Sequence, residues 1–71
     1  MFTLILVHAV PGFFNRAGEY RALPILWDAT AAEALRIARS HINTTHNGVP
    51  LYRSIGIQVG NRRNSPVLWV K

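Results

Sequence analysis

Histidines and carboxylates are few in this sequence, and their spacing favours neither metal binding nor catalysis. The histidines are His8, His41 and His46, and no cysteine accompanies them. Zinc takes three or four ligands, and side chains five positions apart, as His41 and His46 are, do not lie above one another on a helix. We therefore expect no metal and no cofactor.

The three carboxylates do not suggest a catalytic pair. Asp28 and Glu33 lie at the start of a predicted helix, where the helix dipole stabilises negative charge. Glu19 lies in a predicted loop, and general acid–base catalysis needs titratable groups that are positioned together. No serine stands in a nucleophile elbow, and no glycine cluster has phosphate-loop spacing. We predict that the protein is not an enzyme.

Arginine is the residue type that remains for function. Eight Lys and Arg against three Asp and Glu give a formal charge of +5, which favours encounter with nucleic acid or an acidic protein surface but also serves solubility alone. Arg62 and Arg63 stand in "GNRRNSP", a turn whose Gly and Asn residues already meet the needs of a hairpin. We predict that this pair belongs to a partner-binding surface, and the alternative is a solvated hairpin tip.

Four further arginines extend this hypothesis. Arg36 and Arg39 fall on the polar side of the predicted helix, where they form either a second binding patch or a solvated face with an Arg36–Glu33 pair. Arg16 and Arg21 flank the first predicted hairpin. Arginine suits both phosphate and carboxylate partners because its guanidinium makes bidentate hydrogen bonds.

Aromatic side chains lie in or beside the predicted strands and have two interpretations. Tyr20, Tyr52, Trp27 and Trp69 could add a stacking surface next to the arginines, and we count Tyr52 among the candidate partner-binding residues. The simpler expectation for Trp27 and Trp69 is that they pack in the core.

These candidates must be positioned by two strands that open the chain. Residues 2–9, "FTLILVHA", are apolar at both parities, which predicts a central strand covered on at least one face. Residues 20–27, "YRALPILW", predict a second strand. Pro24 cannot donate a ladder hydrogen bond, so this strand should lie at an edge or carry a bulge.

A helix follows in "DATAAEALRIARSHIN". Thr30 and Glu33 form a capping box, in which the hydroxyl accepts the Glu33 amide and the carboxylate accepts the Thr30 amide. Apolar residues then recur at helical spacing, which predicts a helix over 31–42 that ends by Asn47-Gly48.

Two apolar runs complete the chain, "LYRSIGIQV" and "PVLWV". Arg53 interrupts the alternation of the first, so either that strand begins frayed or its register shifts there. The predicted order is β-β-α-β-β in one domain, residues 1–71. We predict an α+β fold with a four-stranded, mostly antiparallel sheet and the helix on one face. The predicted core contains Leu4, Leu6, Leu35, Ala38, Ile42, Ile55 and Ile57.

The apolar N-terminus, "MFTLILVHAV", is too short to span a membrane, which takes about 20 residues. It has neither the basic start nor the cleavage site of a secretory signal. We therefore expect no membrane partner and a location in the cytoplasm, which the lack of cysteine also fits.

The plan of the chain resembles a class of very small phage proteins. An apolar first strand, a second strand, "ATAAEALRIA" and then paired strands resemble the short type I anti-CRISPR proteins, in which a curved antiparallel sheet wraps one helix. "LPILWDATAAEALRIAR" is similar in plan to the strand-to-helix segment of the small phage inhibitor of bacterial RNA polymerase. The likeness covers residues 20–42 by motif and the rest by element order. It implies an inhibitor that binds through basic hairpin residues, at positions matching Arg62 and Arg63.

Three function classes follow from the sequence. The first is a non-enzymatic, phage-type inhibitor that binds a host protein or nucleoprotein complex, either a CRISPR surveillance complex or an RNA polymerase. The second is a module that contacts DNA or RNA directly, and the third is a small virion or assembly protein. Whether a homodimer forms through the "YRALPILW" edge stays open.

Overall fold

Seven short elements make up the described part of this chain, whose structure is a computed structural model. The model describes residues 1–12, 16–60 and 64–71, and of Arg21 and residues 23–25 it describes the backbone only. The elements are β1 Phe2–His8, β2 Tyr20–Leu26, α1 Ala31–Ser40, β3 Thr45–His46, β4 Val49–Pro50, β5 Tyr52–Val59 and β6 Val67–Trp69.

The main sheet has the strand order β2-β1-β5-β6, and all of its neighbouring strands run antiparallel. The α+β class with one helix and antiparallel pairing is therefore as predicted. The predicted element order was wrong, because β3 and β4 form a separate two-stranded ladder between α1 and β5.

This small ladder also corrects the predicted end of the helix. Asn47 and Gly48 both have positive φ, 53° and 80°, which is the backbone of a two-residue hairpin turn between β3 and β4. The Asn-Gly pair therefore closes a hairpin instead of capping α1. The helix ends at Ser40, and the backbone N–H of His41 donates to the Ala38 carbonyl at 3.1 Å, a tighter turn.

The first strand lies in the centre of the sheet, as its two apolar faces predicted. Leu4 and Leu6 are buried on one side with Ile55 and Ile57 of β5. Ile5 is also buried, on the opposite side, because successive strand residues alternate in direction.

The helix packs on the Leu4 side of the sheet through two small residues. Ala34 and Ala38 are fully buried within the same cluster, so α1 lies close to β1 and β5. Leu35 and Ile42, which were predicted to be core, are only half-buried and pack against the margin of this cluster. The alanines take the central positions because a close approach of helix and sheet leaves room for small side chains only.

The irregularities expected at Pro24 and Arg53 are both present. Strand β2 lies at an edge, and its register with β1 shifts between Thr3 and Ile5, opposite the Pro24 segment. The register of β5 shifts between its Ser54 and Tyr52 pairs, so Arg53 is the extra residue of a bulge.

Candidate functional site

Arg36 and Arg39 lie on the solvent face of α1. The buried helix residues are Ala34 and Ala38, which turns the arginines away from the sheet, and both are exposed. Neither guanidinium has a hydrogen-bond or ion-pair partner within the described part of the chain. The Arg36–Glu33 pair is not formed, and the Glu33 carboxylate accepts a hydrogen bond from the Thr30 hydroxyl at 3.3 Å.

The bulge in β5 presents a further arginine. The extra residue shifts the alternation of side chains by one position at the start of β5. Tyr52 therefore lies on the same face of the sheet as Ile55 and packs against the core. Arg53, the residue inserted by the bulge, is exposed and has no ion-pair partner in the described ranges. A bulge often directs a functional side chain away from a sheet.

Several cationic residues lie at one end of the sheet because of the directions in which its strands run. There β1 ends, β2 and β5 begin, and the His41 ring at the helix C-terminus lies 6.0 Å from the Tyr52 ring. Lys71 exchanges backbone hydrogen bonds with Ile55 at 3.2 Å, close to Arg53. We call this region the basic end, and its exposed cationic side chains are those of Arg16, Arg39, Arg53 and Lys71.

Arg16 and Arg21 reach the same region by different routes. Arg16 belongs to the connection after β1, where its backbone N–H donates to the Glu19 carboxylate at 2.9 Å. The backbone of Arg21 pairs with Leu6 near the start of β2. Glu19 is the carboxylate at this end of the sheet, whereas Asp28 and Glu33 lie around the start of α1 at the other end.

The charge of the described side chains is therefore unevenly distributed along the sheet. Strand β1 has seven residues, so its ends are roughly 20 Å apart at about 3.3 Å per residue. This separation exceeds the screening length of about 8 Å at physiological salt, so a bound partner would sense the two ends separately. The basic end is suited to bind phosphate or carboxylate groups.

Tyr52 lies beside the basic end, but its side chain packs against the core and against two histidine rings. Its ring centroid is 5.5 Å from that of His8 and 6.0 Å from that of His41, and its side chain is half-buried against the core. His41 Nδ1 lies 2.9 Å from the Ile37 carbonyl, which can only accept, so this nitrogen carries the proton in that hydrogen bond. Of the three rings, only parts of Tyr52 and His41 reach the surface.

His8 is the one chemically unusual group in this cluster. It is 3% exposed, and its Nε2 atom has no hydrogen-bond partner. No group of three potential metal-ligating side chains occurs among the described residues, so His8 has no ligand set around it. His46 is exposed on the β3–β4 hairpin. His8 and His41 thus belong to a packed cluster of rings with Tyr52, and His46 is a surface side chain.

Both tryptophans are placed differently from the core positions expected for them. Trp27, which follows β2, is 66% exposed, and Trp69 on β6 is 48% exposed. Trp69 lies opposite Gly56, whose missing side chain leaves room for the indole: a Cβ atom there would come within 2.9 Å of Trp69 Cε3. The sheet thus carries Trp69 on its surface.

The remaining predicted residues, Arg62 and Arg63, lie outside the described residues. Their role in binding stays a prediction from the sequence. Two members of the basic end, Arg53 and Lys71, were not among the predicted site residues. The break that Arg53 makes in the apolar alternation was a usable signal, because a charged residue inside a strand often marks a bulge.

The chain matches no protein-family model, no curated protein and no solved structure. No helix in the described ranges is long and apolar enough to cross a membrane.

Proposed function

We propose that the protein acts by binding, as a non-enzymatic inhibitor of the phage type that docks on a host nucleic-acid machine in the cytoplasm. The machine is a CRISPR surveillance complex or an RNA polymerase. The observation that carries this proposal is the basic end, where exposed cations are left without ion-pair partners in the described structure. Machines that handle nucleic acid expose the phosphates of their bound nucleic acid, which such a surface complements.

These arginines are not needed for the packing of the fold, so they are available for binding. Arg53 occupies a bulge and Arg39 the solvent face of α1, so neither side chain contributes to the buried cluster. A cation that is desolvated against a partner carboxylate or phosphate contributes far more than the same cation in water. The arginines are therefore more useful to an interface than to the stability of the chain.

Direct binding of DNA or RNA is the second candidate, and the exposed indoles favour it. Trp27 and Trp69 offer π-faces on which unpaired bases can stack, and the basic end offers sites for phosphate. In this case the host proteins would be recovered only through nucleic acid. A small assembly protein is a third candidate, which the free strand edges of the sheet would allow.

Affinity capture from bacterial lysate distinguishes the three. The tagged protein is expected to retain subunits of a surveillance complex or an RNA polymerase at a stoichiometric level, and to retain them after nuclease treatment. Recovery that nuclease abolishes would support direct nucleic-acid binding instead. Recovery of the protein alone, as a multimer of itself, would contradict both and favour assembly.

Salt provides a second test on the captured complex. A protein that reads the phosphate backbone loses affinity steeply, with a slope of about 0.9 in log K per log salt for each phosphate contacted. A partner with a desolvated arginine pocket is expected to lose far less over the same range. A steep slope with naked duplex DNA as the ligand would therefore contradict the inhibitor proposal.

A further inference from the structure

We infer that the free edge of β6 binds an extended, carboxylate-bearing segment of a partner protein, which adds to the main sheet as a further strand. This inference rests on the proposed function in one respect, that the protein acts by binding. It concerns a different surface from the basic end, and it specifies the partner as a peptide strand.

The two edges of the main sheet differ in how they are protected. The β2 edge carries Pro24 and a register shift, two devices that discourage another strand from pairing. Within Val67–Trp69 the β6 edge has neither, because these residues pair with β5 in unbroken register and include no charge and no proline. Pro66 precedes this stretch, and a bulge follows it, where the Val70 and Lys71 N–H groups both donate to the Ile55 carbonyl. The β6 edge is therefore the one on which a strand can add.

The free backbone groups of β6 can be placed from its ladder. The Val70 N–H donates to the Ile55 carbonyl at 2.8 Å, so Val70 directs its backbone toward β5. Backbone groups alternate in direction along a strand, so Leu68 also faces β5, while Val67 and Trp69 present their N–H and C=O groups to the open side. An added strand can pair with those two residues.

Exposed side chains flank this edge on both faces of the sheet. Leu68 is 56% exposed and lies opposite Ile57, on the helix side, whereas Trp69 lies opposite Gly56 on the other side. An added strand would place alternate side chains against Leu68 and against the indole, so backbone pairing and apolar contact would act together. Exposed apolar groups beside an unprotected edge mark an interaction site.

The charges around β6 indicate which charge a partner segment must carry to bind at this edge. Neither β5 nor β6 contains a carboxylate, and Lys71 and Arg53 lie beside their paired ends. A second copy of the chain would bring another +5 to the interface, so self-pairing is disfavoured by repulsion. A segment whose carboxylates lie beside Lys71 has the complementary charge.

The test uses the intact protein and a defined probe, the peptide acetyl-Asp-Glu-Val-Thr-Val-Thr-Val-amide. It is expected to shift the NMR signals of β6 and to slow hydrogen exchange at the Val67 and Trp69 amides. A control peptide with Lys-Lys in place of Asp-Glu tests charge. A second control with every backbone amide N-methylated keeps every side chain and removes the N–H donors from both edges of the peptide strand, which blocks pairing. Both controls are expected to bind at least about tenfold more weakly.

Matched substitutions test the position of the site. Leu68→Ser is expected to weaken peptide binding about tenfold, and Val59→Ser, which alters a residue that is 64% exposed on β5, to change it less than about twofold. Equal binding of the N-methylated peptide would overturn the inference. So would a free protein that sediments as a dimer with its Val67 and Trp69 amides already protected, because the edge would then hold a second copy.

The inference and the proposed function can fail separately. Loss of peptide binding together with intact capture of a host machine would overturn only the β6 site. Peptide binding without capture of any host machine would overturn only the proposed inhibitor function.

Discussion

At the scale of single residues, the unusual positions of the chain serve packing, and the exposed arginines of the described residues have no ion-pair partners. Gly56 is the clearest case. A Cβ atom at this position would lie 2.7 Å from Val67 Cγ1 and 2.9 Å from the Leu68 carbonyl oxygen. The absence of a side chain on β5 is therefore what lets β6 approach.

We predict that Gly56→Ala destabilises the fold and loosens β6. The methyl group meets backbone as well as side chain, so β6 must move, and overpacking of this kind costs about 1–3 kcal/mol. Denaturant unfolding measures the loss, and hydrogen exchange locates it in residues 67–69. Gly12→Ala is the control, because nothing lies within 4 Å of a Cβ atom there. An equal effect of the two substitutions would contradict this account of Gly56.

The exposed tryptophans show why residue environments were hard to predict. Trp27 and Trp69 are large apolar residues of a type that often packs in a core, yet the burial of each side chain depends on which residues pack against it. Gly56 lies within a predicted strand, but its pairing with Trp69 needs the register of β6, which no local pattern specifies.

At the scale of elements, the helix follows the sequence at its start and departs from it at its end. The Glu33 N–H donates to Thr30 Oγ1 at 3.2 Å, which is the first half of the predicted capping box. The carboxylate then accepts from the Thr30 hydroxyl rather than from the Thr30 amide. The cap nevertheless defines the start of α1 at Ala31.

We predict that Thr30→Ala lowers the free energy of unfolding by about 1 kcal/mol, the usual cost of losing an N-cap hydroxyl. Thr30→Ser keeps the hydroxyl and is expected to stay within about 0.5 kcal/mol of wild type. Denaturant midpoints of the two variants, measured together, provide the comparison. A Thr30→Ser variant as unstable as Thr30→Ala would show that the methyl group, and not the hydrogen bond, matters at this position.

Local sequence patterns predicted the helix and most of the strands. They did not predict which structure forms where one pattern suits two. Pro24 correctly indicated an edge strand with a register shift, and of the two outcomes that Arg53 predicted, a frayed start or a register shift, the structure has the register shift. Asn47-Gly48 was misassigned because a left-handed pair suits both a helix end and a hairpin turn. The pair closes β3 and β4, which are only two residues each and leave little periodic pattern to detect.

At the scale of the whole molecule, the arrangement of strands produces the asymmetry on which the proposed function depends. Arg39, Arg53 and Lys71 are far apart along the chain, and they lie at one end because a helix C-terminus and two strand ends meet there. Of these three, only Arg39 was among the site residues predicted from the sequence. Their grouping needed the topology.

The most direct test compares two double charge reversals in the capture experiment. Arg39→Glu with Arg53→Glu alters the basic end, and Arg62→Glu with Arg63→Glu alters the turn predicted from the sequence. Each changes the formal charge from +5 to +1, since two reversals remove four charge units, so any difference between them reports position. Arg39 lies in the last helical turn, where its charge stabilises the dipole by about 0.3–1 kcal/mol. Charge reversal removes this stabilisation and adds a repulsion of similar size, about 2 kcal/mol at most in total, so the thermal midpoint is expected to fall by no more than about 16 °C.

The measurement is the amount of host machine retained per mole of each folded variant at physiological salt. The basic-end reversal is predicted to reduce retention about tenfold or more, since removing central interface arginines typically costs on the order of 2 kcal/mol. Retention equal to wild type by the folded Arg39→Glu, Arg53→Glu protein would contradict the claim that the basic end binds the partner.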